Sequence, residues 1–260
     1  MISTQVYCEW LGASEGALRR EAADRFAAAA RDLAGVPAVD LSREGRLHWR
    51  RLDNASFLKI AAALSERAPQ VLDALYLRRQ DLLDCSLAPL GGLSSLVTLD
   101  LAWCDRLQGT LEPLGGLGNL EALCLHFCVG LRGRLEPLAQ LKKLRDLDLG
   151  CCMDLDGSLD PLGDLSSLQR LNLRACAKLR GTLGPLSACE NLKSLDIRDT
   201  FVTGSIARLF RPLHNLEVLD LKGTAVEDIG EFKRAHPNCR ITGFSLSRRR
   251  YRATGESTAW

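Results

Sequence analysis

The sequence predicts an α/β solenoid, and three observations predict it. Leucines stand 24 residues apart at Leu72, Leu96, Leu120, Leu144, Leu168, Leu192 and Leu216. Each opens the phrase L-x-x-L-x-L, whose last apolar position runs Leu77, Leu101, Leu125, Leu149, Leu173, Ile197 and Leu221. A proline recurs at one position in the second half of the unit, at Pro89, Pro113, Pro137, Pro161 and Pro185. A strict repeat of this period stacks unit on unit, so the core grows with repeat number instead of splitting into globules.

Residues 1–36 read as an N-terminal helical cap. Within them, Leu18, Ala22, Phe26, Ala29 and Leu33 share one helical face, Ser14 suits the N-cap and Gly35 the stop. Such a helix covers the exposed end of a leucine core, or docks a partner by the same amphipathic face. Residues 37–71 read as one longer, irregular repeat, with a strand near Ala38 to Leu41. Asn54 caps a helix that carries Phe57, Ile60, Ala61 and Leu64 and ends before Pro69.

Residues 72–241 hold seven repeats and a closing segment. Five units align without a gap from Leu72 to Asn191. The first half of each alternates apolar and polar residues, the pattern of a strand with one buried face. The invariant spacing predicts parallel strands, one per repeat. The proline cannot donate to a ladder, so the second half is expected to form short 3₁₀ or helical turns that return leucines to the core. Gly109, Gly133, Gly157 and Gly181 mark the bend between the halves. The sixth unit shifts by one residue, and the seventh loses its glycine and runs into Pro237-Asn238-Cys239. Residues 242–260 read as a polar, basic, disordered tail carrying Arg248, Arg249, Arg250 and Arg252.

Composition narrows the function classes. A formal net charge of +2 over 260 residues gives no global field for nucleic acid or membrane. The start of the chain has no basic segment followed by an apolar one, so no signal peptide is read. No run reaches the ~18 to 20 apolar residues that span a bilayer. Ten cysteines in that context predict thiols in a reducing compartment, hence a cytoplasmic or nuclear protein.

These repeats resemble the leucine-rich repeat family, whose pattern is L-x-x-L-x-L-x-x-N/C-x-L with a period of 20 to 29 residues. The phrase Leu107-Gln-Gly-Thr-Leu-Glu-Pro-Leu is similar to the 24-residue L-x-G-x-I-P subclass of plant proteins, although proline here follows the apolar residue by two places. The segment from Asn54 to Leu64 resembles a ribonuclease-inhibitor-type unit. The resemblance implies a curved solenoid with its parallel sheet on the concave side and turns on the convex side. It also implies a role in protein recognition.

Cys104, Cys128, Cys152 and Cys176 recur at the ninth position, followed by Thr200 and Thr224. In the family this slot points inward beneath the turn, where a small donor satisfies a buried carbonyl. Zinc is the sharper alternative, since Cys124, His126, Cys128, Cys151 and Cys152 are the right residue types. Strand alternation opposes it, placing Cys124 and His126 on the solvent side and Cys128 on the core side. Disulfides between neighbouring repeats are opposed by parallel Cβ vectors. The expectation is no metal and no cofactor.

Positions five, seven and eight of each unit are expected to present the concave face. Trp103 and Phe127 fall side by side in adjacent strands, with Tyr76 and His126 near, and large exposed aromatics are typical binding anchors. Asp100, Asp148, Arg174 and Arg198 form a charged flank, part of which neutralises itself. No Walker A loop, dinucleotide fingerprint, zincin or kinase motif is present, and a flat sheet around His126 offers no oxyanion hole. The expected function is a monomeric, non-catalytic scaffold or adaptor that binds a protein partner, with no small-molecule substrate. A substrate receptor of a ubiquitin ligase is the alternative. Nucleic-acid binding by the arginine tail has little support.

Overall fold

The computed structural model describes residues 74–79, 86–209 and 213–243. The cap expected at 1–36, the irregular unit at 37–71 and the tail beyond residue 243 lie outside the described residues. Eight three-residue strands form one parallel sheet in chain order: Ala74–Tyr76, Thr98–Asp100, Ala122–Cys124, Asp146–Asp148, Arg170–Asn172, Ser194–Asp196, Val218–Asp220 and Arg240–Thr242. Register follows the repeat, pairing Leu75 with Leu99, Leu99 with Leu123 and Leu123 with Leu147. The middle residue of each of the first seven strands is buried, which is the alternation read from the phrase. The eighth strand breaks the period. Arg240 pairs with Val218, 22 positions earlier.

The prolines begin short 3₁₀ turns at Ala88–Leu90, Glu112–Gly116, Glu136–Gln140, Asp160–Asp164 and Gly184–Ala188. Proline suits the first turn because its missing N–H has no partner there anyway. Each turn delivers a fully buried leucine, from Leu90 to Leu186. In the sixth and seventh repeats the turns give way to α-helices, Ile206–Leu209 and Ile229–Ala235. Burial of one leucine side chain is worth ~1.5–3 kcal/mol, so the stacked leucine columns dominate the stability of every repeat alike.

The glycine bends do more than turn the chain. Gly133 and Gly157 adopt φ of 88° and 89°, open only to glycine at low cost. Around them runs a second parallel ladder, Arg132–Gly133, Asp154–Gly157 and Lys178–Leu179, extended by bridges from Gly109 to Leu131 and from Thr182 to Thr203. The N–H of Arg132 donates to the Gly109 carbonyl at 2.9 Å, and that of Arg180 to the Gly157 carbonyl at 2.9 Å.

Candidate partner-binding face

The concave face is shaped at the end of each strand. Position eight is left-handed throughout, with φ of 56–66° at Arg79, Trp103, Phe127, Cys151, Ala175 and Asp199. The N–H of each donates to position seven of the next repeat, as from Trp103 to His126 at 2.7 Å and from Phe127 to Gly150 at 2.8 Å. A left-handed non-glycine residue costs ~1–2 kcal/mol. Because the conformation recurs in every repeat, it belongs to the fold: it turns the chain so that position nine enters the core.

A hand-off of hydrogen bonds accompanies that turn. The position-seven N–H donates back to the position-five side chain of its own strand: Ala102 to Asp100 Oδ1 at 3.1 Å, Gly150 to Asp148 Oδ1 at 2.8 Å and Arg174 to Asn172 Oδ1 at 3.0 Å. The position-six carbonyl of the preceding repeat receives the position-nine thiol instead. Cys104 donates to Leu77, Cys128 to Leu101, Cys152 to Leu125 and Cys176 to Leu149, at 3.0–3.1 Å. The cysteine column is thus a structural donor ladder, as its position suggests. Burial pushes the Cys128, Cys152 and Cys176 thiols well up and Cys189 to about 11, so they stay protonated and donate. Thr200 and Thr224 turn to their own repeat, donating to Ile197 and Leu221 at 2.7 Å.

Trp103 and Phe127 meet as expected. Their rings stack at a centroid distance of 4.5 Å and an interplanar angle of 26°, and both are half-buried. His126 lies 5.7 Å from the Trp103 ring at a tilt of 56°. Arg79 extends the row, its guanidinium carbon 5.9 Å from the Trp103 ring centre. Arg79 was legible in principle, because it occupies the same position eight one repeat earlier. Tyr76 is half-buried and registers opposite Asp100.

The polar residues of this half correct the expected exposure. Asp100, Cys124, His126 and Asp148 are only 1%, 3%, 7% and 2% exposed. Side chains on neighbouring strands, ~4.8 Å apart, cover one another. Arg78 pairs with Asp100. Burial pushes the Asp100 carboxyl up, and the Arg78 charge pulls it back. Asp148 Oδ1 collects the Gly150 N–H, Asn172 Nδ2 at 2.9 Å and His126 Nδ1 at 3.2 Å. A carboxylate only accepts, so it requires a proton on His126 Nδ1. Gly150 makes this cluster possible: a Cβ there would stand 2.7 Å from His126 Nδ1 and 2.9 Å from Asn172 Nδ2. Of these groups His126 packs beside the Trp103 ring.

Two solved structures similar to this chain are internalins of Listeria monocytogenes. Internalin inlF is 22% identical with a TM-score of 0.58, over 73% of this chain and 51% of its own, so this chain spans about half its length. Internalin C2 is 22% identical with a TM-score of 0.57, over 74% of this chain and 76% of its own. The fold is that of a leucine-rich repeat protein. No protein-family model matches the sequence, and no curated protein is similar to it.

The charged half of this leucine-rich repeat face closes on itself. Arg198 hydrogen-bonds both oxygens of Asp196 through Nε, at 3.0 and 3.1 Å, and reaches Asp220 at 3.2 Å. Arg170 grips Asp146 through two bonds of 2.6 and 2.7 Å. Arg174 differs. The residue is half-buried and its backbone N–H is used, but its guanidinium has no ion pair among the described residues. Among those residues no group of three or more His, Cys, Asp or Glu is placed to hold a metal, and the eight cysteines are thiols. No helix among them is long and apolar enough to cross a membrane.

Proposed function

We propose that this chain is a non-catalytic protein-binding module, a scaffold or adaptor, whose partner seats on the aromatic end of the concave sheet. The observation that carries the reading is the Trp103–Phe127 stack, half-exposed, with the buried His126–Asp148 pair beside Trp103. Large aromatics that are already ordered lose little side-chain entropy on binding, which suits them as anchors. The repeat length and the L-x-G-x-L-x-P phrase support placing the array near the plant 24-residue subclass. The reduced thiol column supports a reducing, cytoplasmic or nuclear compartment.

Affinity purification with mass spectrometry tests the reading. The intact chain and its Trp103→Ala, Phe127→Ala double variant are used in parallel, after thermal melts show both folded. Partners recovered by the intact chain and lost from the variant support the concave-face reading. Equal recovery by both contradicts it.

A further inference from the structure

Position eight changes size abruptly along the concave face. Arg79, Trp103 and Phe127 are large; the next two residues are Cys151 and Ala175, and beside them at position seven stand Gly150 and Arg174. The bulky ridge therefore ends at Phe127, and one strand of small side chains separates it from the Arg174 guanidinium. Two strand spacings put the Phe127 and Ala175 backbones roughly 10 Å apart.

The charges around this step are unequal. Asp100 is spent on Arg78, Asp148 is buried under His126 and Asn172, and Asp196 is engaged by Arg198. Arg174 is left with no carboxylate among the described residues, although it is half-buried. Burial pushes the Cys151 thiol up; the charges of Arg174 and Arg198 oppose that push, while Asp148 and Asp196 add to it. An arginine with no carboxylate partner keeps its guanidinium donors open, and a carboxylate supplied by a ligand engages them with charge-assisted bonds. At the other end of the ridge Arg79 lies against the Trp103 ring and has no ion pair among the described residues, so a cationic side chain stands at each end of the aromatic row and its gap.

We infer that the occupant of this face is an extended acidic peptide segment. It lies across the strands with an apolar or aromatic side chain on the Trp103–Phe127 ridge and an Asp or Glu carboxylate on Arg174. An extended chain advances ~3.3 Å per residue and alternates its side chains, so the acid stands two or four residues from the apolar anchor, the spacings that put both on the same side. This inference rests on the binding reading above and adds the partner's chemistry. Arg198, already held between two aspartates, contributes nothing to carboxylate recognition.

The test is selection of random dodecapeptides displayed on phage against the intact chain, followed by affinity measurements on synthetic winners. Enrichment of Asp or Glu two or four residues from Trp, Phe or Leu is expected. A winner's Glu→Gln peptide variant, and the Arg174→Gln protein with the original peptide, should each bind about tenfold more weakly. The two losses should not add, since they break one contact. Winners that need Trp103 but carry no acid, and bind Arg174→Gln unchanged, overturn this inference and leave the concave-face reading standing. Winners that ignore the Trp103→Ala, Phe127→Ala variant overturn both. Failure to enrich acidic peptides over a scrambled pool also overturns the inference.

Discussion

The two halves of the concave face share a backbone and differ in what their side chains leave open. From Leu96 to Gly150 and from Leu168 to Lys222 the strands have the same length, the same register and the same return bond from position seven to position five. In the later half Arg198 is set between Asp196 and Asp220 and those charges consume one another, while Arg174 has no ion pair among the described residues. In the earlier half the acids are buried as supports, and two stacked rings remain at the surface. The fold thus supplies a uniform frame. Binding capacity depends on which side chains are left unsatisfied by their neighbours.

The largest effect should ignore this difference. Leu147→Ala and Leu195→Ala, one in each half, should each destabilise the chain by roughly 2–5 kcal/mol in denaturant unfolding, because both leucines are fully buried. Hydrogen exchange should accelerate first in the repeats flanking each substitution, since repeats couple to nearest neighbours. Uniform acceleration along the array would contradict the shared-frame picture.

Position five should separate the halves. Asp148→Ala strands three donors, two of them on buried groups, and should cost ~1–3 kcal/mol. Asp196→Ala strands the part-buried Arg198 N–H but leaves its guanidinium the contact with Asp220, and should cost less, ~1 kcal/mol. Equal losses in chemical denaturation would mean that the buried network is no firmer than the surface pairs.

Smaller still is the effect of relaxing the left-handed turn. Ala175→Gly should raise stability by ~0.5–1 kcal/mol, the left-handed penalty less the extra freedom of glycine in the unfolded chain. A lower melting temperature for this variant would show that the turn is not strained. Thiol labelling of the native chain gives a further contrast. Cys151, partly exposed, should react before Cys124, which its neighbours cover. The reverse order would put the position-five column back on the surface.

Much of the fold was legible because the repeat writes it seven times. The strands follow from the alternation around Leu99 or Leu147, and the 3₁₀ turns follow from the proline column. The second ladder was not legible. It is made by backbone groups such as the Gly109 carbonyl and Arg132 N–H, and two-residue pairings leave no hydrophobic pattern. The eighth strand, Arg240–Thr242, lacks the leucine phrase and arrives two residues early. At the site, alternation reads Asp100, His126 and Asp148 as facing solvent, whereas all three are buried. It carries no information on coverage by side chains 24 residues away, such as Asn172 over Asp148, and so their burial escaped it.

The central claim is that the aromatic ridge binds and the self-paired charges around Arg198 do not. Titration calorimetry of a purified partner against Trp103→Ala and Arg198→Ala, at low and high salt, tests it most directly. Trp103→Ala should weaken binding at least about tenfold, with little dependence on salt, as truncated aromatic anchors commonly do. Arg198→Ala should change affinity by less than about threefold, and that small effect should shrink as salt rises. Unchanged affinity for Trp103→Ala, or a larger loss for Arg198→Ala than for Trp103→Ala, would contradict the account.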